Sequence, residues 1–368
     1  MNEKTQPCTH CGVVHPRVNL TWMGSAELCP ECLQRYTVCC DCCGERIWMA
    51  NDYGTHYLHL CASCRADNYV TCENCGALIP QEDAHYNDED EAYCDSCYER
   101  GYGGTIHNYS YKPEPIFYGD GPLYLGVELE VDEAGKDNIN AVQALRAFNQ
   151  ENVYGYVKSD GSLNDGFELV THPCTLETHL QQVPWRETLE ALCGMGYRSH
   201  APGTCGLHVH VSRKALGKDV YEQEETIAKL LYIFERFWQE ILRFSRRTES
   251  QINHWAARYG YKDRGEEILK EAKHGANGRY ACINLTNTDT IEFRVFRGTL
   301  KYNTVIATLQ FVANLCRVAI SLPEYRIQEF SWPALIEALT QDNCPELVQY
   351  LKERNLYVNE PVTAEREV

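Results

Sequence analysis

The first 97 residues contain six regularly spaced Cys-x2-Cys pairs, besides one that overlaps them, and this pattern constrains the fold more than any other feature of the chain. The pairs form three quartets. The first cysteine advances by 32 residues each time, and the inner cysteines are separated by 17, 17 and 18 residues. A spacing that recurs at a fixed period indicates a threefold repeat of one small unit. The quartets are Cys8, Cys11, Cys29 and Cys32; Cys40, Cys43, Cys61 and Cys64; and Cys72, Cys75, Cys94 and Cys97.

Four thiolates that converge from two Cys-x2-Cys turns are typical of a structural zinc site, with each sulfur about 2.3 Å from the ion. A disulfide framework is the alternative, but we expect no secretory signal because the N-terminus lacks an apolar segment. We therefore predict three structural Zn²⁺ ions in zinc-ribbon-like repeats over residues 1–100. In the second repeat Cys39 and Cys42 form an overlapping pair, and only the period favours Cys40 and Cys43.

The charge of the chain argues against a nucleic acid as its main partner. The sequence has 34 Lys and Arg against 52 Asp and Glu, a net charge of -18, whereas nucleic-acid affinity comes from basic side chains that displace counterions. Residues 1–110 alone carry six basic and 16 acidic side chains. We expect the zinc repeats to recognise a substrate or a protein partner; a structural cap or an oligomerisation surface is the alternative.

A change of composition separates the repeats from a second domain. Residues 101–122 are rich in Gly, Pro and Tyr without a helical or alternating period, which predicts a linker. Residues 123–368 then form the second domain. Its longest apolar stretch, residues 305–322, is interrupted by Gln310, Asn314 and Arg317 and predicts an amphipathic or core helix rather than a membrane span.

Four segments of the second domain alternate between apolar and polar residues, as strands do when they turn every second side chain to one face. One such strand is more often a solvated face. Four strands with Glu or His at their centres favour a shared metal site, and carboxylate-rich ligation suits Mg²⁺ or Mn²⁺. The polar residues are Glu128 and Glu130 in 123–131, Glu168 in 166–170, His208 and His210 in 207–211, and Glu292 and Arg294 in 291–295.

A basic segment predicts a phosphate near these strands. Residues 243–301 hold 12 Lys or Arg and seven Asp or Glu, in contrast to the acidic chain as a whole. Guanidinium groups match phosphate oxygens with two parallel hydrogen bonds. A solvated basic helix over 262–273 explains part of this charge, but it does not explain Arg279 and Arg294, which flank or occupy apolar strands.

Four motifs in order resemble the amidoligase family of bacteria and phages, a branch of the glutamine synthetase and glutamate cysteine ligase superfamily of carboxylate–amine ligases. The resemblance covers about residues 123–325. It implies an α+β domain, a glutamine synthetase-like curved antiparallel sheet with helices on its outer face, which binds ATP and divalent metals in the concavity. The motifs are Gly126–Glu130, Ser159–Ser162 with Phe167–Val170, Gly206–Val211 and Thr290–Arg294.

The resemblance also implies roles for individual residues. Glu130, Glu168 and Asp160 would bind one metal, and Glu128, His208 and Glu292 a second. His210 would face the nucleotide phosphates or the acyl phosphate, and Arg279 and Arg294 would neutralise the transferred phosphoryl group. From the basic segment, and not from the resemblance, Arg246 and Arg297 are predicted to bind the nucleotide. One departure from the family pattern is His172, which separates Thr171 from Pro173 at the exit of the Glu168 strand.

The sequence therefore predicts an ATP-dependent carboxylate–amine ligase that forms an amide through an acyl phosphate and uses ATP, Mg²⁺ (or Mn²⁺) and three structural Zn²⁺. The acid and the amine are left open among proteins, peptides and small molecules, as is the oligomeric state. We expect no membrane partner and a cytoplasmic location, in a bacterial host if a phage encodes the chain. The alternatives are a zinc-stabilised non-catalytic interaction protein and a metallohydrolase that uses His208 and His210 around a zinc-bound water.

Overall fold

The computed structural model describes residues 5–87, 90–274 and 278–358. The chain divides into two compact units, Met1–Gly104 (unit 1) and Thr105–Val368 (unit 2). Unit 1 contains the cysteine repeats, and unit 2 contains a single eight-stranded sheet with helices.

Unit 1 repeats one short pattern three times. Each repeat has an antiparallel hairpin whose loop carries its first two cysteines, and it ends in a helix whose N-cap is the third cysteine. In chain order the elements are β1 (Thr5–Pro7), β2 (Val14–Pro16), β3 (Thr21–Met23), β4 (Ala26–Leu28), α1 (Pro30–Tyr36), β5 (Thr37–Cys39), β6 (Arg46–Trp48), α2 (Ala62–Asn68), β7 (Tyr69–Thr71), β8 (Leu78–Pro80), β9 (His85–Tyr86), β10 (Ala92–Tyr93) and α3 (Asp95–Glu99).

The thiols of each quartet converge on one point. The sulfur atoms of Cys11 and Cys29 are 3.9 Å apart, and those of Cys43 and Cys61 are also 3.9 Å apart. A tetrahedral zinc with bonds of about 2.3 Å requires edges of about 3.8 Å between its sulfurs. Within each quartet the four sulfurs lie within 4.8 Å of one another. The three quartets therefore fit zinc sites.

The second quartet uses Cys40 and Cys43, and the competing Cys39 and Cys42 are exposed. Gly44 makes this register possible: its φ of 74° lets the chain fold back, and its N–H donates to the Cys40 carbonyl at 2.8 Å. Backbone N–H groups of Cys43 and Cys61 lower the pKa of the Cys40 thiol to about 6. That sulfur is therefore largely a thiolate at neutral pH, which is the form that binds metal.

The apolar cores of the repeats are too small to stabilise them alone. Besides cysteines, the buried cluster of the first repeat contains Leu28, that of the second Ile47 and Leu60, and that of the third Ile79 and Tyr93. Each fully buried side chain of this size contributes only about 1.5–3 kcal/mol. A metal ion held by each cysteine quartet would supply the stabilisation that these small cores lack.

Unit 2 is built on a sheet with the strand order β11-β13-β14-β12-β16-β18-β17, and β15 pairs with β12. Every pairing is antiparallel except that of β11 with β13. The strands are β11 (Ile106–His107), β12 (Tyr124–Val131), β13 (Gly155–Lys158), β14 (Phe167–Thr171), β15 (Cys174–Thr175), β16 (Gly206–Ser212), β17 (Ile283–Asn284) and β18 (Thr290–Arg297).

The helices of unit 2 supply the rest of its core. They are α4 (Asn138–Phe148), α5 (Leu176–Gln181), α6 (Trp185–Gly194), α7 (Val220–Arg236), α8 (Trp238–Ser245), α9 (Glu249–Trp255), α10 (Gly265–His274), α11 (Tyr302–Ser321), α12 (Glu324–Gln328), α13 (Trp332–Leu339) and α14 (Pro345–Glu353).

The sheet has one apolar face and one polar face. Along β12, Leu125, Val127, Leu129 and Val131 are at most 1% exposed and belong to one continuous core with the helices. Aromatic contacts such as Phe234 with Phe293, at 5.6 Å between ring centroids, join α7 to β18. The predicted domain of mixed helix and sheet is confirmed, and the curvature of the sheet stays a prediction.

Helix α11 is long and apolar enough to cross a membrane by length and composition, but 83% of its apolar window is buried inside the fold. Its polar residues have partners in that core: Gln310 donates to Glu346 at 2.8 Å, and Asn314 donates to the Leu339 carbonyl at 2.8 Å. This agrees with the core helix that the interrupted apolar stretch predicts.

The boundary between the units differs from the predicted linker 101–122. Residues from Thr105 onward belong to unit 2, where β11 pairs with β13 at the sheet edge. Farther on, the Ile116 N–H donates to His172 Nδ1 at 3.3 Å, and the Tyr118 N–H donates to the Pro173 carbonyl at 3.0 Å. A two-residue strand is too short to produce an alternating pattern, so no local pattern marks β11.

We predict that the purified, reduced chain binds three zinc ions. Cys40→Ser with Cys43→Ser should lower this to two, because two of the four ligands of one site are lost. Elemental analysis measures the stoichiometry. The matched control, Cys39→Ser with Cys42→Ser, should retain three zinc ions. If the control loses a zinc ion and the first variant keeps all three, the ligands are Cys39 and Cys42 instead.

Candidate functional site

The polar face of the sheet borders a pocket of about 820 Å³ in unit 2. Strands β12, β13, β14, β16 and β18 all contribute charged side chains to it. Those side chains are Glu128, Glu130, Lys158, Glu168, His208, His210, Glu292 and Arg294.

Strand register brings these residues together from distant parts of the sequence. Glu130 lies opposite Glu168, Glu128 opposite His208, and His210 opposite Glu292. Side chains in such cross-strand pairs start about 4.5–5.5 Å apart. The register of β16 with β18 shifts between Leu207 and Val209, so His208 has no single partner on β18.

Two groups of possible metal ligands share Glu128. One contains Glu128, Glu168 and His208, and the other contains Glu128, His210 and Glu292; within each group the ligand atoms lie within 4.8 Å of one another. The sequence-based division differed, since it placed Glu168 with Glu130 and Asp160. Its other set is also brought together: His208 Nδ1 is 3.3 Å from a Glu128 oxygen and 3.6 Å from a Glu292 oxygen.

The carboxylates are held in an environment that favours cations. Burial and the neighbouring charge of Glu128 raise the pKa of Glu168 well above its usual range. Burial also opposes ionisation of Glu128, but the charge of His210 and hydrogen bonds from both histidines outweigh it and hold the pKa of Glu128 well below its usual range. Buried carboxylates this close ionise together only when cations join them, so the donor set fits Mg²⁺ or Mn²⁺.

Glycine 206 allows the site to close around Glu130. Its N–H donates to the Glu130 carboxylate. A Cβ at this position would lie 2.4 Å from His208 Nε2 and 2.9 Å from Arg247 Nη2. Only glycine therefore lets the histidine and the arginine approach the same carboxylate.

Arg247 and Arg294 present free hydrogen-bond donors to the pocket. Arg247 is 6% exposed, and its Nε and Nη1 have no hydrogen-bond partner among the described residues, nor does Nε of Arg294. Arg294 is held by Glu292, with 2.5 Å between Nη1 and the carboxylate. Burial lowers the pKa of Arg247 to about 10, so it stays charged at neutral pH. Such guanidinium groups suit a phosphate or carboxylate ligand.

The remaining predicted residues divide between the pocket and its surroundings. Asp160 lines the pocket from a turn, and its carboxylate accepts from the Ser162 N–H at 2.7 Å. Arg279 also lines the pocket and donates to the Tyr109 and Tyr280 hydroxyls at 2.5 Å and 2.8 Å.

Arg246 and Arg297 are not among the residues that line the pocket, and their place beside the phosphates stays a prediction. Arg246 has a φ of 66°, in the left-handed region that few side chains adopt, and this turn separates it from Arg247. Its guanidinium donates to the Gly298 carbonyl at 3.2 Å and to the Arg297 carbonyl. Arg246 therefore braces the end of β18.

Three pocket residues were not selected from the sequence. Arg247 was counted in the basic segment without a role, although it follows Arg246 directly. Lys158 ends β13, and its Nζ lies 3.4 Å from the Glu168 carboxylate. Asn284 donates to the Glu292 carboxylate at 2.8 Å; because β17 has only two residues, no period in the sequence marks it.

Residues 146–316 match the family model Amidoligase_2, described as "Putative amidoligase enzyme". The match supports an amide-bond-forming ligase. It spans Glu168, both pocket histidines, Glu292 and Arg294, and it begins after β12. Comparison with curated proteins finds no match.

Two solved structures show a distant likeness. One is a bifunctional glutathione synthetase from Pasteurella multocida, with 15% identity, a TM-score of 0.31 and coverage of 63% of this chain and 46% of that chain. The other is the complex between the prokaryotic ubiquitin-like protein Pup and its ligase PafA, with 9% identity, a TM-score of 0.29 and coverage of 63% of each chain. This chain spans less than two thirds of the length of either structure. The low identities and TM-scores do not support a shared function.

Because Glu128 belongs to both ligand groups, we predict that Glu128→Gln weakens Mn²⁺ binding at both by at least about tenfold, whereas Glu292→Gln affects one. Electron paramagnetic resonance titration of the zinc-loaded chain with Mn²⁺ measures this. The exposed Glu177→Gln is the control and should bind as wild type. Equal losses in all three variants would contradict the shared site.

Proposed function

We propose that the chain is an ATP-dependent ligase that joins a carboxylate to an amine through an acyl phosphate. The observation that carries the proposal is one pocket in which buried carboxylates and imidazoles adjoin two guanidinium groups with free donors. The first set suits divalent cations, and the second suits phosphate oxygens. The amidoligase match supports the same class of reaction.

The chemistry requires both features. A carboxylate does not react with an amine at neutral pH because its oxygen is a poor leaving group. Transfer of the γ-phosphoryl group of ATP forms a bond from that oxygen to phosphorus and breaks the bond to ADP. The amine nitrogen then attacks the acyl carbon, phosphate leaves with the carboxylate oxygen, and the nitrogen loses a proton to form the amide.

The residues have separate tasks in this scheme. Glu128, Glu168, His208, His210 and Glu292 would hold the divalent cations, which when bound neutralise the phosphate oxygens. Arg247 and Arg294 donate to the oxygens on which charge accumulates during phosphoryl transfer. Arg279 stands with Tyr109 and Tyr280 at the pocket and donates to a substrate anion. Glu130, fixed by the Gly206 N–H, keeps Arg247 and His208 in position.

The zinc-stabilised repeats of unit 1 would recognise a substrate or a partner, since closed four-cysteine sites leave no coordination position for catalysis. The substrates are an acid and an amine from among proteins, peptides and small molecules. We place the reaction in the cytoplasm.

We predict that the chain with Mg²⁺ and ATP releases ADP when supplied with the right acid and amine, together with a new amide detected by mass spectrometry. Pools of candidate acids and amines are screened in pairs. Glu130→Ala should abolish both products, and Glu177→Ala should not. Unchanged turnover in Glu130→Ala would refute the site, and hydrolysis that ignores ATP would favour a metallohydrolase.

Neighbouring arginines provide a matched test of the phosphate donors. Arg247→Lys keeps the charge but loses the planar donor geometry, so we expect a fall in kcat of about 10²-fold. Arg246→Lys, one residue earlier and outside the pocket, should change kcat by less than about threefold. The rate of steady-state ADP release gives kcat for both variants. A larger fall in kcat for Arg246→Lys than for Arg247→Lys would assign the phosphate contact to Arg246.

A further inference from the structure

Each zinc repeat of unit 1 exposes a large aromatic side chain. Trp22 is 62% exposed, Tyr57 is 90% exposed and Tyr86 is 46% exposed. Isolated exposed apolar residues need no explanation. An exposed aromatic residue that recurs in all three repeats does need an explanation, because an aromatic surface in contact with water contributes nothing to the stability of a repeat.

The aromatic residues of the first and third repeats occupy equivalent positions. Trp22 and Tyr86 are 64 residues apart, which is twice the 32-residue period. Both lie on the short antiparallel hairpin that precedes the third cysteine: Trp22 on β3 opposite Glu27, and Tyr86 on β9 opposite Ala92. The hairpins therefore present the two rings from the same part of the repeat.

The second repeat also exposes aromatic side chains, but at different positions from those of the other two repeats. Gly54 holds the equivalent position, and a Cβ there would lie 1.7 Å from the Leu58 carbonyl oxygen, so no other residue fits. The loop is closed by the Thr55 N–H, which donates to that carbonyl at 2.7 Å. On either side of the glycine, Tyr53 and Tyr57 are 54% and 90% exposed. The aromatic side chain has moved by a few residues, and a hydrogen-bonded loop stands in place of the β-hairpin of the other two repeats.

The repeats follow one another closely. Trp48 of the second repeat packs against the buried cluster of the first, and Leu78 of the third packs against that of the second. In tandem repeats joined in this way, equivalent positions recur at similar intervals along the array. Consecutive repeats are therefore in contact with each other, and a ligand that binds all three would have to be extended along the array.

The charge of unit 1 determines what that ligand is. Residues 1–104 carry six Lys and Arg against 16 Asp and Glu. Each zinc bound to four thiolates adds a further charge of about -2. Exposed Trp and Tyr faces attract ammonium and guanidinium groups, and surrounding carboxylates strengthen that attraction. The same charge repels nucleic acids, which also stack on aromatic side chains.

We propose that the hairpins of the first and third repeats and the corresponding loop of the second form a binding surface for an extended Arg- and Lys-rich segment of a partner protein, with Trp22, Tyr57 and Tyr86 contacting cationic side chains. The surface needs the zinc-loaded fold of unit 1, but it does not need the ligase chemistry. Failure of one proposal therefore leaves the other standing.

The test is fluorescence anisotropy of the full zinc-loaded chain with a fluorescein-labelled dodecapeptide of alternating Arg and Gly. We expect saturable binding that weakens with salt. The triple variant Trp22→Ala, Tyr57→Ala, Tyr86→Ala should raise Kd by at least about tenfold, with three zinc ions retained by elemental analysis. The variant with Phe at the same three positions should bind within about threefold of wild type, because it keeps the ring faces.

A matched control removes aromatic side chains of similar exposure from unit 2: Tyr221→Ala with Tyr325→Ala, which are 76% and 62% exposed. This variant should bind the peptide as wild type does. An equal loss in both Ala variants, no loss in either, or no binding by wild type would overturn the proposal. Tighter binding of a labelled single-stranded dodecathymidylate than of the peptide would also overturn it.

Discussion

The structure of unit 2 depends on keeping three buried glutamates and the half-buried Glu128 on one face of a sheet. At an effective dielectric of about 20, two like charges 4 Å apart repel by about 4 kcal/mol. Glu128, Glu130, Glu168 and Glu292 reach this proximity because antiparallel register places them opposite one another or opposite histidines. Neighbouring cations offset part of the repulsion: Lys158 at Glu168 and Arg294 at Glu292. The remaining repulsion would be offset by divalent cations, which the ligand atoms of this pocket could hold.

Apolar packing on the opposite face of the sheet offsets the repulsion between these carboxylates. Alternate residues of β12, β16 and β18 are fully buried against α7, α8 and α11 in one core. That core holds the strands in place. The strands in turn hold the carboxylates closer together than they would lie in water. Unit 1 has no comparable core, and its thiolates converge instead on three points at which a metal ion can stabilise the fold.

Much of this could be predicted because it follows from short periods. The 32-residue cysteine period indicated the three quartets, and it favoured Cys40 and Cys43 over their neighbours, as the structure does. Period-two alternation marked β12 and β16 and the faces on which Glu128 and His208 lie. Their partnership was not predictable in detail: the grouping of Glu128 with both Glu168 and His210 comes from strand order and from the shifted register beside Leu207, which no local pattern contains.

Other differences between the sequence-based expectations and the structure also come from backbone geometry and long-range contacts that no local pattern contains. Arg246 and Arg247 are adjacent in sequence, and only the left-handed backbone at Arg246 decides which of them enters the pocket. Helices α7 and α8 meet at Phe237 without a glycine or proline to signal the break between them. Tyr109 was assigned to a linker, although its hydroxyl contacts Arg279 across 170 residues of sequence.

The most direct test is a crystal structure of the full chain with Mn²⁺ and a non-hydrolysable ATP analogue, with the metals located by anomalous diffraction. The account predicts manganese peaks between Glu128, Glu168 and His208 and between Glu128, His210 and Glu292, with the γ-phosphate beside Arg247 and Arg294. Manganese that avoids Glu128, or a nucleotide bound outside the pocket, would contradict it.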